Sequence, residues 1–526
     1  MQFNLIDEKW IPVKRRDGTP ETIRPWEVTD CFADNPIISL NAHRPDFNGA
    51  LIQFLIGLVQ TTFAPCNRIE WNEKLQAPPT PNELKASFMK VQRAFELAEE
   101  GPRFMQDSEV IDAEPKSIDF ILIDTPGNKT REDNTDHFVK RSLLGSAMCP
   151  ACCAAALFTM QTNSPAGGSG YRTSLRGGGP LTTLVIGDEH FDALWHTVWL
   201  NILESRTFLK MCNSRKNKNA EIFPWLAPTK PKATEQDIHP AQYFWAMPRR
   251  IRLEFESLCA GVCGICDQRS ERLIRTYREV NKGTEYQAPM KHPLSPFNGN
   301  TQKAVLTQRG GISYRHWLGL IANDLEGKRE PSRTVHEFIE ERQQPDWRFR
   351  VWAFGYDMDN MKARCWYEST MPVISVNNSL LSDFDQEISN LIKSAAEIAS
   401  NVRSQVKKAW FRRPGDAKGD TSFIALTFWQ DTESAFYEAL HEVQRTLEAG
   451  NDGADIRKRW HKILCDEALR IFDANAWNGP IEDVDPKRLV TARKELQIYN
   501  HSKKIKELLG MSVEKAPSGK RKSKKS

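Results

Sequence analysis

The chain has 526 residues, 40% of them hydrophobic and 27% charged, and its 72 Lys and Arg against 68 Asp and Glu leave a net charge of +4. That length exceeds one small core and predicts two or three domains of a soluble globular protein. So slight a positive excess does not by itself mark a nucleic-acid binder, since the placing of charges matters more than their sum.

The opening "FNLIDEKWIPVKRRDGTPETI" reads as two short strands around Asp17-Gly18, a pair that favours a tight hairpin. Asp7 and Glu8 stand where a signal peptide would need an apolar stretch, so nothing suggests export and the cytoplasm is expected. The run "ALIQFLIGLVQTTFA" at 50–64 is broken by two glutamines and falls short of the roughly 20 residues of a membrane span. It is expected to be a core helix near 47–64. A second helix is expected over 81–100, with Pro81 in its first turn. From about 115 to 375, strand-like runs such as "PLTTLVI" and "FRVWAFGY" alternate with brief helical stretches, without the regular alternation of a doubly wound sheet.

After residue 380, Ile388, Leu391, Ile392, Ala395, Ile398 and Val402 recur at helical spacing. Phe436, Leu440, Val443 and Leu447 follow the same period, then Ile456, Trp460, Ile463, Leu464 and Ile471. A fourth helix opens at Asp485-Pro486 and is expected to run towards Gly510. The fold class expected is α+β: a large irregular mixed domain over 1–378, a four-helix bundle over 379–510 and a disordered basic tail over 511–526. Basic residues gather in "VKRRDG", "NSRKNKN", "MPRRIR", "VKKAWFRRPG" and the tail, and each such run is more often a solvated face than a binding patch.

Two C-x-x-C pairs, Cys149 with Cys152 and Cys263 with Cys266, can supply the four thiolates of a structural zinc. Their separation of about 110 residues is long for a compact zinc ribbon. The plainer alternative is that Cys152 and Cys153 are small buried side chains at a helix start, and Cys153 or Cys259 remain open as substitute ligands. Eleven cysteines, an odd number scattered along the chain, fit a reducing compartment better than a disulfide framework. Cys365 and Cys465 lie in apolar company and are expected in the core. "NSPAGGSGYRTSLRGGGPLTT" at 163–183 sets glycine clusters around Tyr171, Arg172 and Arg176, side chains suited to phosphate or base edges. It matches neither the Walker nor the dinucleotide fingerprint, and a plain flexible loop is the alternative. H-E-x-x-H, G-x-S-x-G and P-loop motifs are all missing from the sequence, which shifts weight from catalysis towards binding.

"FNLIDEKWIPV", "CPACCAAALF", "GGSGYRTSLRGGGPLTT", "CGICDQ", "HPLSP" and "FGYDMDNMKARCW" together resemble, in order and approximate spacing over nearly the whole chain, the CasA family. These proteins are the large subunits of the type I-E CRISPR surveillance complex, Cascade. The resemblance implies a non-catalytic subunit that reads a protospacer-adjacent motif in double-stranded DNA from the minor groove and starts strand separation, while guide RNA reads the sequence. Its glycine loop falls on Gly167, Gly168, Ser169 and Gly170, and its wedge near Asn360 beside Met361, where well-known members carry glutamine. Its lysine finger falls at Asn281 by direct counting, which favours Lys282 next to it. The loop that meets guide RNA and a neighbouring subunit falls on Leu122, Ile123, Asp124, Thr125, Pro126 and Gly127, with Asp124 a poor phosphate partner.

Lys407, Lys408, Arg412 and Arg413, interleaved with aromatics, suit the displaced single strand. The implied partners are guide RNA, target duplex, the backbone, small and 5′-handle-binding subunits and a recruited helicase-nuclease, with no membrane. Two rival readings are a zinc-dependent nuclease or hydrolase, which would require an open metal site, and a scaffold without DNA contacts of its own.

Overall fold

Asp17 turns the first hairpin by accepting a hydrogen bond from the Thr19 amide at 2.8 Å while Gly18 holds φ +91°. The turn pairs β1 (Ile11–Arg15) antiparallel with β2 (Pro20–Ile23), and β3 (Ile37–Leu40) covers the other edge of β1. The computed structural model describes residues 3–98, 101–125, 147–168, 170–211, 219–255, 259–344, 347–359, 362–416, 420–477 and 485–511. The chain divides into two units, Met1–Ile312 with Gly319–Val373, and Ser313–Leu318 with Ile374–Ser526.

The core helix of the first unit is α1 (Pro45–Thr62), with Pro45 in its first turn, where a missing N–H costs nothing. The two glutamines that interrupt its apolar run are buried and fully engaged. Gln53 donates to Gly49 O at 2.7 Å and accepts from Arg176 Nη2 at 2.6 Å, while Gln60 exchanges bonds of 3.0 and 2.7 Å with the Leu203 backbone. A buried amide with such partners escapes the desolvation penalty that would otherwise exclude it from a core. Phe54 then centres an edge-to-face cluster with Trp10, Phe95, Phe104, Phe158 and Trp245 at centroid distances of 5.1–6.0 Å.

The helix expected over 81–100 is shorter than its pattern. A Thr80–Glu83 capping box starts α2 (Pro81–Phe88), but Met89–Phe95 tightens into a 3₁₀ run. Its last residue, Phe95, stacks on Phe104 at 5.6 Å, so tertiary packing overrides local propensity there. Further on, α3 (Pro150–Asn163) starts at the first cysteine pair, with Cys149 at its N-cap and Cys152 in its first turn, and packs on α1. Both strand-like runs of the middle region are strands. β4 (Thr182–Gly187) pairs with β9 (Phe349–Asp359), which pairs in turn with β10 (Lys362–Val373). Between them in sequence lie β5 (Arg250–Leu253), β6 (Cys259–Val262), β7 (Arg269–Leu273) and β8 (Thr276–Val280). β6 and β7 form a hairpin, and β8 joins β5 to the short strand Lys116–Ser117.

In the second unit, four long helices carry the periodic stretches: α4 (Leu381–Trp410), α6 (Glu433–Glu448), α7 (Ala454–Ala476) and α8 (Pro486–Asn500). Two short ones, α5 (Ser422–Asp431) and α9 (Lys503–Leu508), accompany them. Ile388, Leu391, Ile392, Ala395, Ile398 and Val402 all face inward. Asp485 caps α8 by accepting from the Lys487 and Arg488 amides at 2.9 and 3.3 Å. The helix stops at Asn500 instead of reaching Gly510, for the Asn500 carbonyl is bonded by His461 Nε2 at 2.7 Å and its side chain by Asn401 at 2.8 Å. Cys465 is buried as expected, whereas Cys365 is exposed, on β10 at the edge of its three-stranded sheet. Every described cysteine is a free thiol. Among the described residues no helix is long and apolar enough to cross a membrane.

The hexapeptide Ser313–Leu318 belongs to the helical unit through Tyr314, which is fully buried, stacks on Phe436 at 4.3 Å and shares a 2.8 Å hydrogen bond with Thr432 Oγ1. Tyr314→Ala is expected to destabilise this unit by about 3–5 kcal/mol, the usual cost of truncating a buried aromatic. Tyr314→Phe should cost only about 1 kcal/mol, one hydrogen bond. Denaturant melts of the full chain, read by helical circular dichroism, separate the two values.

Candidate metal centre and nucleic-acid interface

The first cysteine pair sits at a helix start. Cys149 is the N-cap of α3 and its Sγ accepts from the Cys152 amide at 3.5 Å. The second pair lies in the knuckle between β6 and β7, closed by Cys263 N to Gln268 O at 2.9 Å, with Asp267 at φ +56°. Backbone bonds then join the two segments: Met148 and Ile274 exchange bonds of 2.9 and 2.8 Å, and Gly264 N donates to Ala147 O at 2.9 Å. As a result the sulfurs of Cys149, Cys152, Cys263 and Cys266 all lie within 4.8 Å of one another, with Cys149 and Cys266 at 3.8 Å. Four sulfurs about 2.3 Å from a central ion would stand roughly 3.8 Å apart, so the cage fits a tetrahedral metal. Hydrogen bonds from Cys149 and Cys152 push the Cys266 thiol down to about 7 and Cys263 lower still. Thiols crowded enough to share protons are the donors a metal displaces protons from. Cys153 is fully buried against Met148 O, and Cys259 accepts from Arg275 Nε at 3.0 Å, so neither spare thiol joins the cluster.

The glycine segment runs from the end of α3 into β4. Gly168 and Gly170 hold φ of +65° and +87°, and the Gly170 carbonyl accepts from the Lys282 amide at 2.9 Å. Lys282 itself adopts φ +61°, a conformation rare for a residue with a side chain and one that clusters at functional turns. Next to them Tyr171 is held between two cations, Arg249 at 5.1 Å and Lys116 at 5.5 Å from its ring centroid. Glu279 pairs with both cations, at 3.5 and 2.9 Å, and Arg249 also donates to Pro165 O at 2.6 Å. Arg172 pairs with Glu285 at 3.1 Å. Ser169 lies outside the described residues.

Arg176 is a correction. It is only 6% exposed and donates to Thr182 Oγ1, Ser295 Oγ and Gln53 Oε1 at 2.9, 3.1 and 2.6 Å, with burial pulling its pKa down to about 9. It braces the interior, its guanidinium taken up by these three protein acceptors in place of the outward contact expected of it. The arginines of "MPRRIR" are likewise engaged by the protein itself, Arg249 on Tyr171 in the interior and, half-buried, Arg250 on Asp107 and Glu109 and Arg252 on the Asp107 carbonyl.

The long hairpin of β9 and β10 stays paired out to Asp359 and Lys362, and Asn360 and Met361, which join the strands, lie outside the described residues. Arg364 stiffens the end of the ladder through a fork onto Asp357 at 2.6 and 3.0 Å. The glycine segment leans on this hairpin: a Cβ at Gly179 would strike the Tyr356 carbonyl and come within 2.6 Å of Met358 Cγ. Glycine segment and hairpin border one cleft of about 700 Å³, lined among others by Ala166, Gly178, Lys303, Leu306 and Met358.

Leu122 and Ile123 are buried, so the outward contact expected of them is closed by core packing. Asp124 is exposed and accepts from Arg44 Nη2 at 2.8 Å, Thr125 Oγ1 donates to Asp119 O at 2.9 Å, and Pro126 and Gly127 lie outside the described residues. On the helical unit Arg412 and Arg413 are exposed, Lys407 is half-buried and Lys408 pairs with Glu495 at 2.8 Å. Phe423 and Trp477, 46% and 50% exposed, are aromatics the sequence did not single out. Phe423 stacks on Trp410, which adjoins this basic run.

The family model for the CRISPR-associated protein Cse1 matches residues 4–471. Thermobifida fusca Cse1 superposes with a TM-score of 0.69 at 16% identity, covering 97% of this chain and 99% of that one. Thermus thermophilus CasA (Cse1) gives 0.64 at 15% identity over 97% and 99%. A chain of a CRISPR RNA-guided surveillance complex gives 0.68 at 14% identity over 95% and 100%. At such identities the structures attest the fold, and the family model adds the lineage: this chain belongs to the Cse1 family.

Proposed function

We propose that the chain is the non-catalytic large subunit of a type I-E CRISPR RNA-guided surveillance complex, acting in the cytoplasm with guide RNA and the backbone, small and 5′-handle-binding subunits. In this reading Gly167, Gly168, Ser169 and Gly170 enter the minor groove beside the protospacer-adjacent motif, which at about 6 Å wide admits a backbone without side chains. Lys282 brings a compact positive charge to the same place, suited to phosphate or to the groove's acceptors. The hairpin tip at Asn360 parts the strands below the motif, a step whose unstacking costs a few kcal/mol and must be offset by new contacts. Asp124 and Thr125 meet a neighbouring subunit, and Lys407, Arg412 and Arg413 hold the displaced strand before a helicase-nuclease is recruited.

The observation that carries this reading is the coupling of its three elements: Gly170 is bonded to Lys282, and Gly179 is seated on the hairpin. The metal proposed for the four cysteines is zinc in a structural role, because four thiolates complete its tetrahedron and leave no position for an attacking water. That donor set also weighs against a zinc-dependent hydrolase. The test is to assemble the complex with guide RNA and measure duplex binding across a library of flanking motifs. Affinity should vary by at least about tenfold with the motif, since a mismatched base pair typically costs 1–3 kcal/mol. Equal affinity for every member would overturn the reading.

A further inference from the structure

Asp124, Arg44, Asp46 and Tyr356 form an unbroken line of charged hydrogen bonds through the first unit. Arg44 precedes α1 and turns its guanidinium onto Asp46, Nε to Oδ1 at 3.0 Å and Nη2 to Oδ2 at 3.1 Å. The same Nη2 donates to Asp124 Oδ1 at 2.8 Å. Asp46 Oδ2 also accepts from Tyr356 Oη at 2.6 Å. Asp46 and Tyr356 are 1% and 2% exposed, whereas Asp124 stands at the surface. Tyr356 lies on β9, and its carbonyl is the atom against which Gly179 packs. One end of the line is therefore an exposed carboxylate, and the other holds both the hairpin and the glycine segment.

A buried ion pair of this kind is a weak source of stability, since apolar residues of similar volume serve a core as well or better. It is good at fixing position. Two sharings make it responsive: Arg44 Nη2 divides itself between two carboxylates, and Asp46 Oδ2 accepts from two donors. We propose that the four residues are a positioning relay whose input is a basic side chain of a neighbouring subunit docking on Asp124, and whose output is the seating of the β9–β10 hairpin on the glycine segment. A carboxylate at the input repels RNA phosphate and selects a cationic protein group. Once Asp124 is taken, Arg44 pairs with Asp46 alone, Asp46 offers less charge to Tyr356, and the hairpin loosens for work on a duplex. What the loosened hairpin does rests on the function proposed above.

Amide hydrogen exchange on the full-length chain tests the relay without DNA. Asp124→Asn mimics the docked input and Tyr356→Phe removes the output bond while keeping its volume. Each should speed exchange at Gly355–Met358 by about tenfold, the weight of one hydrogen bond to a charged group. The double variant should exchange no faster than Tyr356→Phe alone, because both changes break one line. Unchanged exchange in Asp124→Asn, or effects of the two variants that multiply, would overturn the relay. A companion assay follows opening of motif-bearing duplexes by assembled complex, where Asp124→Asn should open them as fast as wild type, whose Asp124 the docked neighbour already occupies; slower opening would overturn the relay. Should wild type treat all flanking motifs alike, the proposed duplex function falls, while the exchange result still decides the relay.

Discussion

One zinc per chain is the expected result of metal analysis on the purified protein, and Cys263→Ser is expected to lose both the metal and the fold of the first unit. A structural zinc in small peptides contributes on the order of 10 kcal/mol at neutral pH. Whole domains are stable by only about 5–15 kcal/mol. The cage here ties α3, which packs on α1, to the β6–β7 knuckle, segments far apart in sequence that are otherwise joined locally by a few backbone bonds around Met148. Losing the ion would also leave four thiols crowded within 4.8 Å, with protonated forms that pack poorly. Chelation should therefore depress the melting temperature of the first unit by more than 10 °C, taking roughly 2–8 °C per kcal/mol as the scale. Cys153→Ser and Cys259→Ser serve as controls: both should keep the zinc, because their sulfurs bond to Met148 O and Arg275 instead. A metal-free protein with an unchanged melt would remove the zinc from the account.

Much of this architecture is written in short-range pattern. Asp17-Gly18, Thr80 with Glu83 and Asp485 with Pro486 all set an element's end through bonds within three residues, so their effect is readable without knowing the fold. The periodic stripe of α4 is readable for the same reason. What escaped depends on partners distant in sequence. Arg176 beside glycines looks like a ligand-facing cation until Gln53 and Ser295 are brought against it. Tyr314 sits in a stretch without clear periodicity, and only its stacking on Phe436 reveals it as part of the helical unit. The arginines of "MPRRIR" carry the same charge whether they face solvent or Asp107. Asp46 belongs to no motif and Tyr356 drew no notice within "FGYDMDNMKARCW", since each gains meaning only from the other. The cysteine pairs are intermediate: C-x-x-C spacing is local and visible, whereas their meeting depends on the Met148–Ile274 bridge.

Replacing Gly170 is expected to separate fold from function. Its φ of +87° makes any side chain strained, at roughly 1 kcal/mol for alanine. Space is not the obstacle, because an added Cβ would lie 3.5 Å from the Lys282 amide nitrogen, an ordinary contact. Gly179→Ala, by contrast, would drive its Cβ into the Tyr356 carbonyl and should unseat the hairpin. Gly170→Ala and Gly170→Asn should therefore both fold and assemble with guide RNA. Asparagine tolerates left-handed backbone better than alanine yet carries more bulk, so the pair opposes strain against size. If residues 167–170 enter a groove about 6 Å wide, size governs, and asparagine should weaken binding of a motif-bearing duplex more than alanine, by about 100-fold against 10-fold. If the loop merely supports Lys282 through the Gly170 carbonyl, strain governs and the order reverses. Affinity for a pre-opened duplex, where the groove is no longer read, should stay within about threefold of wild type for both variants. Equal, undiminished motif dependence in Gly170→Asn would show that this loop never meets the duplex.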